Sequence, residues 1–339
     1  MDRAGLIGAA DPEISLIGGS PGADSSPVSH VRSASAGDQA RHEGNQSESV
    51  GREDSEGGSE LSLFEIDWLD VEVAKAISVY SSSSSIQSFI DSVDILDDSL
   101  LDHAFSARRC LPSDRVFHGQ GSSDFDFLFL YSKLVKDSRL RLPLDEFSIR
   151  VLRALNVALT QLHPNSWAYL RGFQMLCLGL GLTATPVIFL HHYCTRPGKK
   201  VGWLSLVSQN KNRLLGPYSS SYKCFKDTYF KVVINPESRQ FVFDGAVSKF
   251  PLYWTRKPTK FTLWPRFDLL ADDFIFIGKL DQLPCQIPTR RLIECLTAID
   301  PAGVAVGKRL FCILNFHSSA SNLYFVFCRH YPVNGSVWW

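Results

Sequence analysis

The chain has 339 residues, 45% hydrophobic and 21% charged, an ordinary globular composition that allows one or two domains and excludes a fibrous or wholly unfolded protein. Its formal net charge is zero, but residues 1–102 hold 20 acidic and 5 basic side chains, so they carry −15 and residues 103–339 carry +15. An acidic arm on a basic body either solubilises it, folds back onto it, or competes there with a polyanion.

Residues 1–60 are rich in Gly, Ser, Asp and Glu and contain no Phe, Trp or Tyr. They offer too little apolar area to offset the entropy of ordering, so disorder is expected. From 61 to 102 the pattern changes. Leu63, Phe64, Ile66, Trp68, Leu69, Val71 and Val73 alternate with acids, and Ile86, Phe89, Ile90, Val93 and Leu96 recur at helical spacing, with a serine run at 81–85 between the two sets. Helices this short are marginal alone in water, which favours an arm with transient helices. The functional alternative is a pair of acidic-hydrophobic docking motifs for protein partners. The acidic arm is therefore placed at 1–110.

Folded sequence is expected from Leu111. Ser122 or Ser123 can cap a helix over 124–137, with Asp124 and Asp126 in its first turn and Lys133 and Lys136 in its last. Leu142-Pro143-Leu144-Asp145 opens a second helix whose apolar stripe is Leu144, Phe147, Val151, Leu152 and Leu155. A third starts at Pro164, which suits the first helical position. His163 before it is held extended, and Asn165 and Ser166 can bond the free N–H groups of the first turn. Trp167, Leu170, Phe173, Cys177 and Leu180 then share one face. Gly179, Gly181 and Pro186 break this helix, and 187–193 can form a fourth.

Beyond Pro197-Gly198 the pattern turns to strands. Val201, Trp203, Leu204 and Leu206 suit a short strand, and residues 219–221 can cap a helix bearing Tyr222, Phe225, Tyr229 and Phe230. Residues 231–234 and 240–244 flank Asn-Pro-Glu-Ser-Arg, a hairpin signal. Residues 250–254 read as a last strand or edge, and 288–299 as a helix. The expected fold class is α+β: a helical N-terminal half, then a small antiparallel sheet with helices, preceded by the long disordered acidic arm.

Four of these landmarks, in order, carry a family resemblance: the leucine-rich helix 142–155, the His-Pro-Asn-Ser-Trp start at 163–167, Gly202-Trp203, and Pro251-Leu252-Tyr253-Trp254. Together they resemble a plant gypsy-type transposon domain, also described as transposase-like, over about 111–302. The resemblance implies a retroelement origin. It brings no catalytic residues, because that family has none established.

Catalytic templates are missing as well. The chain has no Gly-rich phosphate loop, no G-x-S-x-G elbow and no H-E-x-x-H helix, and no motif calls for a cofactor. Asp244, Asp268, Asp272 and Asp273 could be imagined as nuclease carboxylates, but Asp244 reads better as a turn residue before Gly245. A transposase or nuclease-like enzyme acting on DNA is thus the alternative to a non-enzymatic interaction domain. Eight cysteines show no C-x-x-C spacing, and residues 1–20 lack a signal-peptide pattern, so reduced thiols in an intracellular protein, nuclear or cytoplasmic, are expected. His191, His192 and Cys194, with Cys224 downstream, match no standard zinc spacing, and core packing accounts for them, so no metal site is assigned. Residues 172–190 have no formal charge, but Gln174, the glycines and Pro186 favour two core helices over a membrane span.

The strongest functional signal is electrostatic. Residues 196–266 hold 14 basic and 3 acidic side chains, interleaved with Trp203, Tyr218, Tyr222, Tyr229, Tyr253, Trp254 and Trp264. Cations on phosphates and rings under bases make a workable nucleic-acid mode, and the bland alternative is rings in the core with charges on a solvated face. Lys199, Lys200, Lys211, Arg213, Arg256, Lys257 and Lys260 lie in turn-like stretches and are the candidate nucleic-acid contacts. Residues 303–339 form an atypical apolar tail. Gly307-Lys308 can be encoded by a splice-donor-like GGT-AAG, so translated intron is expected there, the alternative being a genuine apolar strand or membrane-associated segment.

Overall fold

Phe127–Tyr131 form β2, a strand buried along its whole length. The computed structural model describes residues 67–96, 104–119, 121, 124–196, 200–209, 213–219, 222, 224–262 and 269–294. All of them lie in the second of two compact units, Gly57–Trp339. β2 pairs antiparallel with β5 (Tyr229–Ile234), which pairs on its other side with β1 (Phe105–Arg108), giving the order β1-β5-β2. Phe129 stands opposite Lys231, and Phe105 opposite Ile234.

Four expectations for the strand regions are corrected. The single helix over 124–137 is instead β2 followed by α3 (Ser132–Ser138). Phe-Leu-Phe-Leu-Tyr has no polar side, so it suits a strand covered on both faces better than a surface helix. Tyr229 and Phe230 belong to β5, not to a helix beginning near 222. Residues 235–239 do not close a hairpin. The chain turns through Pro236–Ser238 into α7 (Arg239–Val242), and β6 (Phe243–Asp244) pairs with β7 (Val247–Ser248). Residues 250–254 form no strand.

The helices follow the sequence more closely. α4 (Glu146–Leu155) buries Phe147, Val151, Leu152 and Leu155, and the Asp145 carboxylate accepts from Ser148 N–H at 2.9 Å as its cap. α5 (Pro164–Gly179) has an unexpected cap: His163 Nδ1 accepts from Asn165 N–H at 3.1 Å. Asn165 is taken up elsewhere, donating from Nδ2 to Ser219 O at 2.8 Å. Ser166 Oγ accepts from Leu206 N–H at 2.8 Å. Both polar side chains therefore fasten other segments to α5.

α5 packs against α3, α9 (Thr289–Glu294) and β4 (Ser205–Ser208). Gly172 permits the close approach of α9, since a Cβ there would lie 2.9 Å from Thr289 Cγ2. α6 (Pro186–His192) runs into β3 (Tyr193–Arg196), which pairs with β4, and it packs on α4 and α8 (Ala271–Asp281). The stretch 172–190 is divided between α5 and α6, and among the described residues no helix is long and apolar enough to cross a membrane. Aromatic contacts join the layers, with Phe147, Phe173, Phe189 and Tyr193 in one group and Phe129, Tyr131, Phe225 and Tyr229 in another.

The N-terminal limit of the folded region also differs from the expected 111. α1 (Val71–Lys75) buries Val73 and α2 (Ser83–Ile90) buries Ile86 and Phe89, and Leu69, just before α1, is buried too. Phe89 packs on Tyr80 and Phe230 at 5.4 and 5.3 Å between ring centroids. Helices too short to stand alone persist here because the body gives their apolar residues somewhere to be buried. The expectations for residues 1–60 and 303–339 lie outside the described residues. The architecture is α+β, with the antiparallel sheet taking strands from both halves of the chain.

Candidate nucleic-acid interface

The loop carrying Arg256, Lys257 and Lys260 is fixed by polar contacts to the end of α4 and to the 3-10 turn Leu159–Gln161 that follows it. Gln161, fully buried, accepts from Thr255 N–H at 3.0 Å and donates from Nε2 to Thr255 O at 2.9 Å. Asn156, the C-cap of α4 at φ 50°, donates to Lys257 O at 2.9 Å. Thr259 N–H donates to Leu155 O at 2.8 Å. A helix C-terminus carries partial negative charge, so a basic loop is favoured there. Arg256, Lys257 and Lys260 are all exposed, and none forms an ion pair with a described carboxylate.

Lys200 joins this loop through the N-terminal segment. Val201 N–H donates to Trp68 O at 3.0 Å, and Asp70 N–H to Val201 O at 2.8 Å. Lys200 Nζ then donates to Asp67 O at 2.7 Å, while the Arg256 guanidinium lies over the Trp68 ring, 5.5 Å from its centroid. Trp68 is the residue the sequence missed. It lies in acidic sequence, and nothing local marks it as a neighbour of residue 256.

Of the other predicted contacts only Arg213 is among the described residues. Arg213 is exposed, but its carbonyl accepts from Gln286 N–H at 2.5 Å beside α9, and its charge acts on Tyr169. Lys199 and Lys211 lie outside the described residues. Of the interleaved rings, Tyr229 and Trp254 are core. Trp203 donates to Tyr131 Oη at 2.8 Å and has Lys226 Nζ over its face at 5.1 Å. Lys226 itself pairs with Glu72. Tyr218 stacks on Tyr222, with the Arg290 guanidinium 4.6 Å from its centroid. Trp264 lies outside the described residues.

Residues 133–197 match a family model described as "Putative gypsy type transposon". The chain carries a gypsy-type transposon-related domain. No curated protein and no solved structure matches the chain. The matched stretch of this transposon-related domain runs from α3 to β3 and contains Asn156 and Gln161, which fix the basic loop; Lys200 and Arg256 lie beyond it.

The described carboxylates and the histidine–cysteine group singled out in the sequence lie in several different elements. Asp244 ends β6, paired with Val247 just before the turn, and Asp272 and Asp273 lie in the first turn of α8, where Asp273 accepts from Leu270 N–H at 2.9 Å. Asp268 lies outside the described residues. His192 is buried with Nε2 unpartnered, and desolvation, then the neighbouring His191, lower its pKa to about 4. Cys194 donates through Sγ to Val207 O at 3.6 Å. Among the described residues no group of three or more His, Cys, Asp or Glu side chains is placed to hold a metal ion.

Proposed function

We propose that this retroelement-derived protein, of plant origin as its motifs imply, is a non-enzymatic interaction protein that associates with nucleic acid through Lys200, Arg256, Lys257 and Lys260. The supporting observation is the loop 255–260, which Gln161 and Asn156 hold in place with its cations in water and unpaired by described carboxylates. Such a loop presents charge to phosphates without a large ordering cost on binding. Arg256 over Trp68 adds a planar cation on an aromatic face, a surface on which a base can stack.

Anisotropy titrations of the full chain with single- and double-stranded DNA and RNA across salt concentrations test this. The triple variant Arg256→Gln, Lys257→Gln, Lys260→Gln should bind more weakly. Its slope of log K against log salt should fall by about 0.7–0.9 for each phosphate that is no longer neutralised. A wild-type chain that binds none of the four ligands, or a variant with an unchanged slope, overturns the reading.

A further inference from the structure

Helix α8 has two apolar sides. Phe276, Ile277 and Leu280 turn towards the body, where Ile277 and Leu280 are buried and α6 packs. At 100° per residue the opposite side holds Ala271, Phe274, Ile275 and Gly278, spaced i, i+3, i+4, i+7. Phe274 is 48% exposed and Ile275 60%, and Leu270 at the N-cap is 72% exposed. With its other apolar side already packed on the body, an exposed apolar stripe of this kind marks an interaction surface. The pattern along this side is small, large, large, small, and a Cβ on Gly278 would meet nothing within 4 Å. Two large side chains thus lie between two shallow positions that could receive them.

The charges beside this stripe indicate what covers it. Asp272 and Lys279 lie on one flank, seven residues apart, and neither forms an ion pair with a described side chain; Asp281 lies on the other flank at the C-terminal end, where an antiparallel two-fold keeps it away from its own copy. When two identical helices cross antiparallel about a two-fold axis, the same flanks face each other in reverse order. Centred between Phe274 and Ile275, that arrangement sets Ala271 opposite the partner's Gly278. It also brings Asp272 near the partner's Lys279, and Lys279 near the partner's Asp272. The surface is therefore complementary to itself in both shape and charge, as an isologous interface requires.

We propose that α8 is a two-fold self-association surface whose occupant is a second copy of this chain, paired antiparallel through Phe274 and Ile275. The proposal does not depend on nucleic-acid binding.

Sedimentation equilibrium of the full chain tests it. Wild type should dimerise, and Ile275→Asp should weaken the dimer by about tenfold or more, as for loss of a central anchor. Gly278→Leu should weaken it too, by filling the shallow position. Because leucine favours helix over glycine, that variant should fold at least as well, and its circular dichroism melt checks this. Asp272→Lys should weaken the dimer, and adding Lys279→Asp should restore it. Three results would overturn the proposal. One is a wild type that stays monomeric at every attainable concentration. Another is a dimer that Ile275→Asp and Gly278→Leu leave unchanged. The third is a monomer that dimerises only once residues 303–339 are removed, which would assign this face to the tail.

Discussion

Trp167 combines a fully buried indole with a bond from Nε1 to Leu159 O at 3.0 Å. Trp167→Ala would leave a cavity and an unpaired buried carbonyl together, and should cost about 3–5 kcal/mol. Denaturant unfolding measures this, and a variant as stable as wild type would contradict the packing described. His163 and His192 connect the fold to pH. Desolvation is the larger cause for both, with Lys226 adding to it at His163 and His191 at His192, and each pKa is lowered to about 4. A histidine lowered below its ordinary 6.5 binds fewer protons folded than unfolded, so its contribution is complete above 6.5 and is lost as pH falls towards 4. Stability should therefore decline between pH 6.5 and 5, by roughly 1 kcal/mol per pH unit for each histidine. His163→Asn, which keeps an N-cap acceptor but does not titrate there, should remove about half of that slope. Equal stability at pH 7 and pH 5 would refute the assignment.

Two elements, α1 and α2, separate a folded segment from an arm. Were residues 67–96 an arm, Phe89→Ala would be silent. Because Phe89 lies against Tyr80 and Phe230, with Lys136 Nζ 5.1 Å above its ring, the substitution should cost about 3–5 kcal/mol. Thermal melts decide between the two. The paired element β2 shows why local pattern misled. Phe125, Leu128, Phe129 and Leu134 satisfy helical spacing, but β5 supplies backbone partners and a covered face that no window of sequence contains. α4 and α5 were legible because each alternates an apolar stripe with polar positions and begins with a cap signal.

For the whole molecule, residues 1–66 hold 12 acidic and 4 basic side chains, a net −8. Tethered to the basic loop, they should compete with a polyanion for it, and salt should screen that competition. Deleting 1–66, which spares Leu69 and Val73, should tighten nucleic-acid binding at low salt, and the gain should shrink as salt rises. Anisotropy titration of the two forms reads this directly. Equal affinities at low salt would mean that the acidic residues do not regulate the loop.

Some features belong to the sequence by itself. Charge segregation, the helical stripes of α4 and α5, the Pro164 start and the ordered family motifs depend on residue type and spacing, which folding does not alter. Exposure of the Arg256 loop was legible for the same reason, since cations in turn-like sequence seldom leave water. The tertiary structure decided what depends on partners distant in the chain. β5 lies between β1 and β2, both far before it in the chain. Trp68 reaches Arg256, and Gln161 holds Thr255. Burial and strand pairing are properties of both surfaces in a contact, and in each of these contacts the second surface lies far along the chain.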